Sequence, residues 1–139
     1  MIKKILLTLA CCTLAGTATA HEQPVVESRV LLKSTSSWEG TPYVAYPTGQ
    51  PELTVLKINI PANTALKWHK HPIPNAAYIA SGVLEVQTKT GGKSITLKEG
   101  EVLPELVDIM HRGKTGDMPV ELIVFYAGTP GTPLTQSPD

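Results

Sequence analysis

Few residues of this chain carry chemistry, and most of those that do are histidines. There are four, at positions 21, 69, 71 and 111. His69 and His71 are separated by one residue, so an extended strand turns both rings to the same face, with Cα atoms about 6.5–7 Å apart. Two imidazoles so placed can converge on one ion at metal–nitrogen distances of about 2.0–2.1 Å. His111 follows a separate strand much further along the chain, close to a turn, and sheet pairing is what could bring it alongside. His21 stands apart and reads as a solvated terminus. No rival nucleophile is evident: there is no Gly-x-Ser-x-Gly, and the two cysteines, Cys11 and Cys12, both fall among the first twenty residues.

Those twenty residues have the pattern of an export signal. Met1 to Lys4 is short and positive, Ile5 to Gly16 is apolar and uncharged, and Ala18-Thr19-Ala20 supplies the small residues of a cleavage site. The reading is a signal peptide over 1–20, cleaved after Ala20. Its apolar run is shorter than the roughly 20 residues that span a bilayer. A periplasmic or secreted bacterial protein is expected, with no membrane association after cleavage. Cleavage removes both cysteines, which excludes disulfides, thiolate metal sites and Cys–His catalysis from the remainder. It also removes Lys3 and Lys4, so a balance of 12 basic against 12 acidic residues becomes slightly acidic. Nothing in that balance offers an electrostatic footprint for nucleic acid. At 139 residues the chain is too short for a TIM barrel of roughly 250.

The elements that must position the histidines are strands. Between 53 and 60, Leu56, Ile58 and Ile60 alternate with Lys57 and Asn59; after Gly82, Leu84 and Val86 alternate with Glu85 and Gln87. Gly91-Gly92 makes a hairpin turn, Ile95 and Leu97 continue the alternation, 102–107 forms a further strand, and Val120 to Tyr126 is apolar on both faces. A first short strand is expected over 29–33 and a fragment near Tyr43 to Tyr46. No stretch has helical periodicity. Six to nine short strands punctuated by Gly and Pro specify an all-β sandwich or barrel in one domain. The organisation reads as signal 1–20, an N-terminal strand and loops over 21–52, a barrel core over 53–126, and a tail over 127–139 that is Gly/Pro/Ser-rich and frayed in part.

Residues 63–82 resemble the first motif of the cupins: Gly, five residues, His-x-His, three or four residues, Glu, six residues, Gly. Residues 100–115 are similar to the second: Gly, five residues, Pro-x-Gly, two residues, His, three residues, Asn. His69, His71, Gly82, Gly100 and His111 match in identity, and the spacings hold. The resemblance implies a jelly-roll barrel, the double-stranded β-helix, with His69, His71 and His111 as ligands of one divalent transition metal. The departures are specific. The first motif's glutamate ligand falls on Asn75, whose neutral amide is a weaker donor, and its first glycine on Asn63; in the second motif the Pro and Gly of Pro-x-Gly fall on Leu106 and Asp108, and the last Asn on Thr115. Asn75 is retained as a candidate ligand near the open coordination positions. Glu105, if it faces the interior, is a candidate replacement ligand or general base; facing outward, it is a solvated carboxylate.

Neutral imidazoles suit Fe²⁺ or Zn²⁺ first, with Ni²⁺ and Cu²⁺ as further candidates and Mn²⁺ less well matched. The expected partner is a small-molecule substrate or ligand, and a homodimer is open. Arg112 is either an anion clamp or solvated, and Trp68 is expected to point away from the histidines. Two functional readings stand: a metal-dependent enzyme of dioxygenase-like type, or a non-catalytic small-molecule or metal-binding sensor.

Overall fold

The computed structural model describes residues 24–138, so the expected signal peptide and His21 lie outside the described residues. Seven antiparallel strands form two sheets. One has the order β1 (Glu52–Ile60), β7 (Val120–Gly128), β2 (Asn75–Ser81), β5 (Val102–Pro104); the other has the order β4 (Ser94–Lys98), β3 (Val83–Thr88), β6 (His111–Thr115). Among the described residues there is no helix. Residues 63–69 act as an irregular fourth strand of the second sheet, because Leu66 donates its N–H to Gly113, Thr115 to Thr64, and His69 and His111 exchange both backbone bonds at 3.0 and 2.8 Å.

Period-two alternation decides which side of each sheet faces in. Ala77 and Ile79 on β2, Leu84 and Val86 on β3, and Val120, Leu122, Val124 and Tyr126 on β7 are all buried, and they meet between the sheets with Ile60, Ile73, Leu97 and Leu103. The outward residues of β7 are not covered to the same degree, and Phe125 is 41% exposed. Gly82, at the β2–β3 turn, has φ +84°, and a Cβ there would lie 2.4 Å from the Pro119 carbonyl oxygen. Only glycine meets both conditions.

Three expected strands are revised. Residues 29–33 form none: Val30 and Leu31 remain exposed and the segment pairs with no strand. Near Tyr43 the chain makes a single bridge, Ser36 to Pro42, and no strand fragment. The strand begun at Val102 stops at Pro104 rather than reaching Val107, consistent with a proline that has no N–H to continue a ladder. His111 opens β6 instead of following a strand. The remaining strands of the reading form where expected.

Candidate metal centre

The two histidine segments are neighbours in the second sheet, and the His69–His111 bridge sets the rings side by side. His71 is bridged in turn to Val107. Inward-facing Leu66 and His69 are three residues apart, so strict alternation breaks between them, and the chain bulges at Lys67–Trp68. This bulge leaves the Lys67 carbonyl free to accept from His69 Nδ1 at 2.8 Å. It also brings Trp68 to the cavity wall beside the histidines, contrary to the expectation from parity.

The three rings form one cluster. Their centroids are 4.6–5.1 Å apart, and one ring nitrogen from each lies within 4.8 Å of the others. Each Nδ1 contacts a backbone carbonyl at 2.8 Å: His69 that of Lys67, His71 that of Leu134, His111 that of Ile109. A carbonyl can only accept, so each Nδ1 carries a proton and donates it. When neutral, each ring therefore presents the Nε2 lone pair, the tautomer a metal ligand requires.

Glu105 faces the interior. Its Oε2 lies 3.3 Å from His111 Nε2, and both atoms are buried without a well-formed hydrogen bond. With Nδ1 already donating, these are two acceptors turned toward each other, and only a cation between or beside them relieves the contact. A proton on Nε2 is one such cation and a metal ion is another. Burial alone would lower the His111 pKa, but the Glu105 carboxylate and the Ile109 carbonyl outweigh it and raise the value above the usual imidazole range. Burial pushes Glu105 upward, yet the neighbouring His111 holds it below its usual range. His69 and His71 are lowered, first by burial. Two rings thus stay neutral while the third pairs with a carboxylate.

Asn75 shares the inward face of β2 with Ala77 and Ile79. Its Nδ2 donates to the Ile73 carbonyl at 3.1 Å, and its Oδ1 is buried without a partner. It does not line the histidine cavity. Arg112 does not line it either: its guanidinium lies 4.3 Å over the Trp68 ring and donates weakly to Gln87 Oε1.

The cavity holds about 290 Å³. Ile58, Leu66, Leu84, Val86, Leu122 and Val124 make its apolar wall, and the histidines, Glu105 and Tyr126 make its polar side. Gly113, next but one to His111 on β6, keeps part of it open, since a Cβ there would meet Leu84 Cδ1 at 3.1 Å. Sequence reasoning missed Tyr126, Thr135 and Ser137 on the wall. Tyr126 lies on a strand apolar on both faces, so no signal in the sequence marked its inward side; its ring centroid is 5.7 Å from that of His71. Its hydroxyl is pushed up to about 12 by burial and by the Glu105 charge.

Comparison with solved structures places this architecture. The DMSP lyase DddQ from Ruegeria pomeroyi superposes with a TM-score of 0.55 at 22% identity, over 71% of this chain and 47% of that one. A cupin-like protein from Thermotoga maritima gives 0.53 at 15% identity, over 62% and 64%. The chain has the cupin fold. The oxalate decarboxylase of Lactobacillus farciminis, in its formate complex, gives 0.53 at 17% identity, over 61% of this chain and 26% of that one. The chain thus spans less than half the length of the lyase and of the decarboxylase. No family model matches the sequence, and no curated protein matches it. Within the cupin barrel, the first glycine of the first motif is replaced by Asn63 at φ 52°, and the glycine of the second by Asp108 at φ 56°. Asn and Asp tolerate this left-handed region better than other side chains, so the turns survive the substitutions.

Proposed function

We propose that this cupin is an exported metal protein in which His69, His71 and His111 hold one divalent transition metal and a small molecule reacts beside it. The observation that carries the reading is the convergence of three Nε2 lone pairs, each fixed by a carbonyl behind it. The donor set fits Fe²⁺ or Zn²⁺ first, with Ni²⁺ and Cu²⁺ next and Mn²⁺ less well matched. When bound, a redox ion would supply oxygen chemistry of dioxygenase type, and Zn²⁺ would instead polarise a carbonyl or activate water.

The chain's own groups have distinct parts in this reading. Glu105 is the general base, a buried carboxylate held ionised at the mouth of the His111 lone pair and able to take a proton from a substrate atom. The Tyr126 hydroxyl keeps its proton and is a hydrogen-bond donor at neutral pH. The cavity volume of about 290 Å³ limits the substrate to a small molecule with an apolar part for the aliphatic wall. Asn75 keeps an unpartnered buried amide oxygen but does not line this cavity, so it has no part in this reading. The solved cupins that act on DMSP and oxalate are consistent with a small substrate.

The second reading, a non-catalytic binder, is favoured by the loss of an anionic ligand at Asn75. Oxygen uptake by the iron-loaded protein with panels of small thiols and phenols, and hydrolysis or lyase assays on the zinc form, separate the two. Turnover that disappears in Glu105→Gln while metal content is retained supports the enzyme. Stoichiometric metal with no turnover on any panel supports the binder.

A further inference from the structure

The segment after β7 is tied back onto the barrel over the described residues 129–138. Gly131 at φ 80° and the Thr129–Thr132 contacts, a backbone bond of 3.1 Å and a hydroxyl pair at 2.8 Å, reverse the chain. It then runs back across the histidine segment. Lys70 and Gln136 exchange both backbone hydrogen bonds at 2.9 Å, Leu134 packs on the core, and Thr135 and Ser137 line the cavity.

Its most specific contact is with a candidate ligand. His69 and His111 donate Nδ1–H to carbonyls two residues earlier in the chain, whereas the acceptor for His71, the Leu134 carbonyl, is 63 residues distant. Two rings carry their orientation with them, and the third takes it from the tail. Second-layer partners of this kind fix the tautomer and raise ligand basicity; their loss typically lowers metal affinity about 10–100-fold.

We propose that residues 133–137 are a strap that completes the site, with the Leu134 carbonyl as the positioning group for His71 and Thr135 and Ser137 as hydroxyls facing the bound molecule. The metal part of this inference rests on the function proposed above; the positioning of His71 does not. The strap adds the two hydroxyls of Thr135 and Ser137 to a largely aliphatic wall. It therefore selects a small molecule with a polar end as well as an apolar one.

The test uses the mature full-length protein, a form ending at Thr132, and Leu134→Asp, which should undock the strap while the sheets remain. The first readout is ¹⁵N–¹H NMR of the His71 imidazole in metal-free protein at alkaline pH. The full-length chain should show His71 locked with the proton on Nδ1, and both variants should show exchange between tautomers, with His69 and His111 unchanged. An unchanged His71 in either folded variant overturns the proposal. The second readout is Zn²⁺ and Fe²⁺ affinity by chelator competition. Both variants should bind about 10–100-fold more weakly, and the difference should vanish in a His71→Ala background; a difference that persists there would show that the tail acts elsewhere. If the full-length protein binds no ion, the metal reading fails and the His71 NMR result still decides the strap.

Discussion

Replacing Glu105 by Gln tests the electrostatics of the site without a metal. In metal-free protein the carboxylate lies 3.3 Å from His111 Nε2, and both side chains are almost wholly buried. Gln keeps the volume and an acceptor oxygen but removes the charge that raises the His111 pKa. Burial then prevails, and His111 should titrate below the usual imidazole value. A buried hydrogen bond to a charged group is worth about 1.5–3 kcal/mol, and a domain of this size melts about 4 °C lower per kcal/mol lost. The sign follows from linkage. A histidine with a raised folded-state pKa contributes stability that is fully present below its unfolded value of 6.5 and is lost as pH rises through the folded value. Glu105, lowered, contributes stability present above its unfolded value of 4.5 and lost as pH falls through the folded value. The deficit of Glu105→Gln should therefore be greatest between pH 4.5 and 6.5, with a midpoint lower by about 6–12 °C. It should shrink in alkaline buffer. Calorimetry of chelator-treated protein across this range is the assay. A deficit independent of pH, or a more stable variant throughout, would refute the buried pair.

Two further outcomes follow from the same geometry. Metal uptake near pH 6.5 should displace the Nε2 proton of His111, releasing about one proton per ion in unbuffered titration, and affinity should fall on acidification because ligands must be deprotonated; uptake without proton release would mean that His111 is already neutral. Gly113→Val should fill space beside His111 and press on Leu84, costing about 1–3 kcal/mol and weakening small-molecule binding while metal content is kept. Unchanged binding and turnover in that variant would place the reacting molecule outside this cavity.

Much of this was legible in the residues because it depends on local rules. Alternation marked the inward faces of β1, β3 and β4, and the spacing of the two motifs put His69, His71 and His111 where one barrel site needs them. Asn63 and Asp108 took the left-handed turns at glycine positions, as their short polar side chains allow. What was hidden depends on long-range partners. Parity alone could not place Trp68, because the bulge before His69 exists only through pairing with β6. The inward orientation of Glu105 depends on its N–H bond to the Asn75 carbonyl at 3.1 Å and on the Tyr43 hydroxyl donating to its own carbonyl at 2.7 Å. The apolar run at Val30–Leu32 had the composition of a strand but pairs with no strand. The tail was hidden most completely, since a Gly/Pro/Ser-rich composition describes its turn and says nothing of the carbonyl it brings to His71.

The central claim is that three histidines share one ion. Elemental analysis of the purified protein after anaerobic reconstitution, repeated for His69→Ala, His71→Ala and His111→Ala, tests it most directly. One ion per chain in the parent protein, and a loss of at least most of it in each variant with the fold retained, is the predicted result. A parent protein that takes up no ion under any loading condition, or variants that hold it undiminished, would contradict it.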